Sequence, residues 1–130
     1  MASFLSPLLR EPTSGTHRLE NVTSGVVVAD RLLTAFDSAT RNKGLLGMDA
    51  LPAGAALFIA PSNAIHTFFM KFPIDVAFVT RDGRVVKIRS ALGAWRIAFA
   101  FGAYAVVELP SGTLEKSRTK PGDMLTIRSM

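Results

Sequence analysis

The chain has 130 residues, 15 Lys and Arg against 10 Asp and Glu for a net charge of +5, and 48% hydrophobic residues. So apolar a composition excludes a disordered chain, and the length suits one domain with one core rather than a two-lobed enzyme with a cleft between domains. With no cysteine, disulfide frameworks, thiolate metal sites, iron–sulfur clusters and cysteine nucleophiles are excluded together.

Residues 1–21 contain Pro7, Pro12 and Gly15 and carry no period, which predicts an arm or loose first strand ahead of a single domain over 22–130. This start does not read as a signal peptide, because no cation precedes its short apolar run and Pro7, Arg10 and Glu11 interrupt it. The β-branched run 22–29 predicts a strand. Asp30 then offers an acceptor at the head of a segment in which Leu32, Leu33, Phe36, Ala39 and Thr40 recur at steps of three and four, and Gly44 offers a left-handed stop. That pattern predicts one well-formed α-helix over about 31–42.

Beyond Gly44 the pattern changes to short apolar runs between turn residues: ALFIA before Pro61, IHTFFMK before Pro73, and IDVAFVT before Arg81-Asp82-Gly83. Each predicts a strand, and Asp82-Gly83 predicts a tight hairpin into RVVKIRS, where alternation sends Lys87 and Arg89 to water. AYAVVEL is a further strand, a short helical turn is expected near 113–117, and MLTIR is the last strand. The fold class is therefore mainly β, a compact antiparallel sandwich or barrel-like domain. The longest apolar stretch, 97–109, is shorter than the about 18 residues of a membrane span and is broken by Gly102 and Glu108, which points to a chain without a span and in the cytoplasm.

The chemistry-bearing residues are few. His17 and His66 are the two histidines and have no metal-ligand spacing, no glycine-rich loop opens a helix, and there is no Gly-x-Ser-x-Gly elbow. No metal or cofactor is expected. The basic residues are scattered rather than gathered in one run, which argues against a nucleic-acid partner. What stands out is a set of ionisable groups in apolar surroundings: His66, Lys71, Asp75 between Ile74 and Val76, and Glu108 between Val107 and Leu109. A buried carboxylate requires a partner such as Arg41, Lys71, a backbone N–H or a hydroxyl, so the set reads either as structural bracing or as the polar base of a pocket. Strand alternation puts His66, Phe68 and Met70 on one face and Thr67, Phe69 and Lys71 on the other. The candidate ligand-binding residues are Arg41, His66, Phe69, Met70, Lys71, Asp75 and Glu108. The leading function is a binding module for a small molecule or peptide. One alternative is a hydrolase or lyase with Asp75 or Glu108 as general acid or base; another is a protein or nucleic-acid interaction domain using the basic 84–96 face.

Several separated blocks resemble one family. RNKGLLGMDALPAGAALFI, IHTFFMKFPIDVAFVTRDGRVVKI, VVELPSG and KPGDML are similar, in that order, to the domain of unknown function 192 family over about residues 22–129. The resemblance falls on Arg41, Gly44, Leu45, Gly47, Met48, Phe58, Met70, Lys71, Pro73, Asp75, Phe78, Asp82, Gly83, Glu108, Leu109, Gly112, Gly122 and Asp123. It implies a small, mainly β, sandwich-like fold with a helix before the Gly-Leu block, and no established activity. Phe69 stands where many members have Trp, and Phe72 alone separates Lys71 from Pro73 where many have a longer polar step.

Overall fold

Two strands, β4 (Ala55–Ile59) and β6 (Ile74–Val79), are buried at every residue, and β9 (Ala105–Pro110) at all but its last. Only strands covered on both faces can bury so continuous a run. They form the middle of a five-stranded sheet of order β3-β4-β9-β6-β7, with β3 (Arg31–Ala35) and β7 (Val85–Leu92) at its edges. The computed structural model describes residues 3–10 and 17–130; residues 1–2 and 11–16 of the expected arm lie outside the described residues.

On one face, Ala56, Phe58, Ala77, Val79, Val107 and Leu109 pack against a three-stranded sheet of β10 (Leu125–Ser129), β1 (His17–Asn21) and β2 (Val26–Ala29), and against Leu5 and Leu8 of α1 (Ser6–Arg10). β1, placed by the sequence in an arm or loose first strand, is the middle strand of this small sheet, with Leu19 fully buried. On the other face, Leu57, Ile59, Val76, Phe78 and Val106 meet Leu45, Leu51, Ala98 and Ala100. This second cover consists of α2 (Ser38–Lys43), the loop after it, and a two-stranded sheet of β5 (Ala64–His66) and β8 (Ile97–Phe99). The molecule is thus mainly β, in several sheets, and among the described residues none of them closes into a barrel.

The helix expected over 31–42 does not form. Residues 31–35 instead run as β3, parallel to β4 in the register Arg31↔Ala55 to Ala35↔Ile59. RLLTA also alternates, with Leu32 and Thr34 half-buried while Arg31 and Leu33 are exposed, so a strand covers Leu32 and buries Ala35 without burying Arg31, and leaves Leu33 at the sheet edge. Asp37, not Asp30, is the helix cap: its side chain accepts from the Thr40 N–H at 2.8 Å, and only the six residues after it are helical. Gly44 does end the helix, its N–H bonding the Thr40 carbonyl. The short helical turn near 113–117 is α3 (Thr113–Lys116).

Asp82-Gly83 turns β6 into β7 as the sequence predicts. Gly83 has φ +98°, and a Cβ there would collide with the Leu125 carbonyl oxygen, so glycine is required on two grounds. A register shift between Phe78 and Val79 leaves Val86 without an opposite residue. In consequence Val85 and Ile88 join the first core while Lys87 and Arg89 lie opposite Phe78 and Val76, on the side of the second. Strand order in 66–71 also fails: β5 stops at His66, and Phe69 takes φ +66°.

Candidate functional site

Glu108 lies on the central strand β9, between Val107 and Leu109, both of which turn to the first core, so its own side chain turns to the second. Its neighbours across the sheet are Leu57 and Val76. Apolar strands on both sides strip the carboxyl of water, and among the described residues Oε1 has no hydrogen-bond partner. Burial pushes its pKa from the ordinary 4.5 up to about 7, since an uncompensated charge is costly in such surroundings.

This carboxyl is the floor of a cavity of about 230 Å³. The wall on one side is the end of α2, with Arg41, Lys43 and Gly44, followed by Leu45 and Leu46; on the other it is Ile59, Ser62, Ile65 and His66, with Met70 closing the end. At Gly44 a Cβ would stand 3.9 Å from Glu108 Oε1 and project towards the floor. Arg41 is held by the chain itself: Nη1 donates to the Phe36 carbonyl at 2.7 Å and Nη2 to Ser38 Oγ at 3.4 Å. His66 is exposed, and its Nδ1 accepts the Phe68 N–H at 3.3 Å, which leaves Nε2 as the nitrogen carrying the proton in the neutral ring. The site therefore has a single buried acid below and three basic side chains, Arg41, Lys43 and His66, around it. Among the described residues no three His, Cys, Asp or Glu are grouped to hold a metal.

With this geometry in place the comparisons with known proteins are informative. The sequence profile of DUF192, described as an uncharacterised ACR, matches residues 20–127. The chain belongs to this family. A DUF192 chain of this kind resembles in fold a protein of unknown function from Novosphingobium aromaticivorans, at 24% identity and a TM-score of 0.72 over 85% of this chain and 82% of that one. It also resembles a Sinorhizobium meliloti protein provisionally described as a transcription regulator, at 21% identity and a TM-score of 0.73 over 84% and 89%. No curated protein matches it.

Of the residues singled out from the DUF192 sequence, the cavity brings together Arg41, His66, Met70 and Glu108. The others stand elsewhere. Asp75 is buried, and its Oδ1 accepts the Ala91 N–H at 2.8 Å while Oδ2 accepts those of Gly112 at 3.0 Å and Leu114 at 2.9 Å. It ties β6 to the end of β7 and the start of α3, and neither Arg41 nor Lys71 is its partner. Lys71 is exposed and pairs with Asp49 at 3.1 Å. Phe69 is exposed and packs edge-on against Trp95. Sequence reasoning did not place Lys43, Ser62 or Ile65 at the site, because their convergence depends on how the α2–β4 and β4–β5 connections fold over β9. The signal that was available was Gly44, a helix stop followed directly by the buried Leu45.

Proposed function

We propose that the cavity over Glu108 binds a small molecule, or the end of a peptide, that presents an N–H or O–H donor to the carboxyl. The observation that carries this reading is the buried, unpartnered Oε1 of Glu108 facing a polar-rimmed cavity. A buried acceptor without a partner costs free energy that a ligand donor can recover, and polar groups converging on a concave site fix a ligand's orientation. Arg41 and Lys43 at the rim favour a ligand whose outer end is anionic or rich in oxygen. A second reading, general acid–base catalysis by Glu108, is favoured by its pKa of about 7, the range in which a carboxyl both gives and takes a proton; it requires a substrate atom within hydrogen-bond reach of that oxygen.

The test is a thermal-shift screen of the wild type and Glu108→Leu against polyols, amines, amides, hydroxy acids and short peptides. A ligand of the folded state raises stability by about 2.7 kcal/mol at a hundredfold excess over its Kd. The expected result is a saturable shift in the wild type that Glu108→Leu abolishes. A panel without any shift, or a shift that Glu108→Leu retains, would overturn the reading; release of product from a bound ligand would favour catalysis.

A further inference from the structure

We propose that the ridge formed by Phe69, Trp95, Ile97, Phe99 and Phe101 seats the protein on the surface of an anionic lipid bilayer. These five side chains are 50–87% exposed. They form one continuous feature. β5 and β8 pair as Ala64↔Phe99, Ile65↔Ala98 and His66↔Ile97; Ala98 is buried and Ile97 and Phe99 face out. Trp95 extends the row at one end through its contacts with Phe68 and Phe69, and Phe101 extends it at the other through Phe99.

The rings are held out by a rigid base. Phe69 and Trp95 have φ +66° and +63°, a backbone state that bulky side chains rarely adopt and that persists only where neighbouring structure imposes it. Buried Thr67 imposes it here. Its N–H donates to the Arg96 carbonyl, its carbonyl accepts from Met70 and Trp95, and its hydroxyl donates to the Gly93 carbonyl and accepts from the Arg96 N–H. Aromatic rings fixed outwards expose apolar area that a purely structural role would bury.

Charge and shape select the occupant. Lys87 donates to the Phe99 carbonyl at 2.8 Å and lies 5.3 Å from that ring's centroid. Arg89 lies on the same face as Lys87, and exposed Arg96 separates Trp95 from Ile97. Residues 63–101 contain only two carboxylates: Asp75, which is buried, and Asp82, at the β6–β7 hairpin tip. Aromatic and aliphatic side chains beside cations, in a stretch of chain poor in acids, are complementary to the headgroup level of an anionic membrane, and the exposed Asp49 that reaches this stretch is paired with Lys71. Phe69–Trp95 and Phe99–Phe101 meet edge-on, at 62° and 83°, and the one face of Trp95 that lies nearer to parallel, at 30°, is already taken by Phe68, which disfavours a row of free faces for successive bases.

Trp95 is the sole tryptophan and reports the contact directly. Full-length protein is titrated with phosphatidylcholine vesicles with and without phosphatidylserine, following Trp95 emission and co-sedimentation. The proposal expects a saturable shift to shorter wavelength that needs phosphatidylserine and weakens with salt. Phe101→Asp, at a side chain 87% exposed, should bind about tenfold more weakly or worse with an unchanged melting temperature. Lys87→Gln combined with Arg96→Gln should remove most of the phosphatidylserine dependence. No shift with either vesicle overturns the proposal. So does a shift produced by a single-stranded oligonucleotide but not by vesicles, or by raising the protein concentration alone, which would assign the ridge to nucleic acid or to a second copy of the chain. The outcome is independent of ligand binding over Glu108.

Discussion

Replacing Asp75 by Asn keeps the shape of the side chain and changes only what it can accept. The carboxylate takes three backbone N–H groups, from Ala91 on one oxygen and from Gly112 and Leu114 on the other. An amide that keeps its oxygen on the Gly112 and Leu114 pair must turn its NH2 towards the Ala91 N–H, donor against donor. One charge-assisted bond is lost, at about 1.5–3 kcal/mol, and the two surviving bonds lose their charge assistance; Ala91 is exposed, so its N–H can turn to water. We expect a loss of about 3 kcal/mol, a large part of the stability of a domain this size. It is measured by equilibrium urea unfolding, and a lowering of Tm by roughly 10 °C should accompany it. Amide exchange at Ala91, Gly112 and Leu114 should accelerate more than elsewhere, because Ala91 loses its acceptor and the other two keep a weaker one. A loss below about 1 kcal/mol, with protection at the three amides unchanged, would refute the reasoning that Asp75 is a brace.

Glu108→Gln should be stabilising relative to wild type in a pH-dependent way. Below pH 4.5 the carboxyl is protonated in folded and unfolded chains alike; between 4.5 and about 7 the unfolded chain releases the proton while the folded chain keeps it. Wild-type stability therefore falls as pH rises through this window, by about 1.4 kcal/mol per pH unit and about 3 kcal/mol in all. The difference between the variant and the wild type, measured by urea unfolding from pH 4 to 8.5, should grow by that amount; a flat difference would count against a buried neutral carboxyl. Gly83→Ala should be severely destabilised, by about 3 kcal/mol or more, because its φ is +98° and its Cβ meets the Leu125 carbonyl; thermal denaturation would detect it. Asn21→Ala should cost about 2–3 kcal/mol, since the buried amide donates to Thr119 Oγ1 at 3.1 Å and Asp123 Oδ2 at 3.0 Å. Burial works to raise the pKa of Asp123, but the Asn21 amide and the Lys120 N–H and ammonium outweigh it and hold the carboxyl below its ordinary value; in Asn21→Ala, NMR titration of Asp123 should therefore move upward.

The β-rich fold class, the 82–83 hairpin and the isolated carboxyl of Glu108 were legible in the sequence because each rests on neighbours in the chain. Asp82-Gly83 flanked by apolar strands needs no tertiary information to make a hairpin, and a Glu inside a run as apolar as AVVEL is buried once that strand is covered on both faces. The 31–42 segment was not legible, because RLLTAF satisfies a helical spacing and an alternating one at once. Its parallel pairing with β4 decided between them, through hydrogen bonds to a strand 24 residues further along. The site was legible in part. His66, Met70 and Glu108 reach one cavity although the local strand reading of 66–71 fails at Phe69. Asp75 and Glu108 carry the same signature, a carboxylate between two apolar residues, yet they face opposite sides of the sheet. Asp75 meets the N–H groups of Ala91, Gly112 and Leu114, and Glu108 meets none. Only the positions of those donors separate the brace from the cavity floor.

The protonation of Glu108 in the free protein separates a carboxyl that awaits a ligand from one that is already solvated. Carbon-detected NMR of its side-chain carboxyl, titrated from pH 4 to 9 and assigned by its loss in Glu108→Gln, measures that state directly. A midpoint near 7, shifted on addition of a ligand that raises Tm, is the predicted result. A midpoint near 4.5 that no ligand moves would mean that the carboxyl is solvated or already partnered, and would contradict the account.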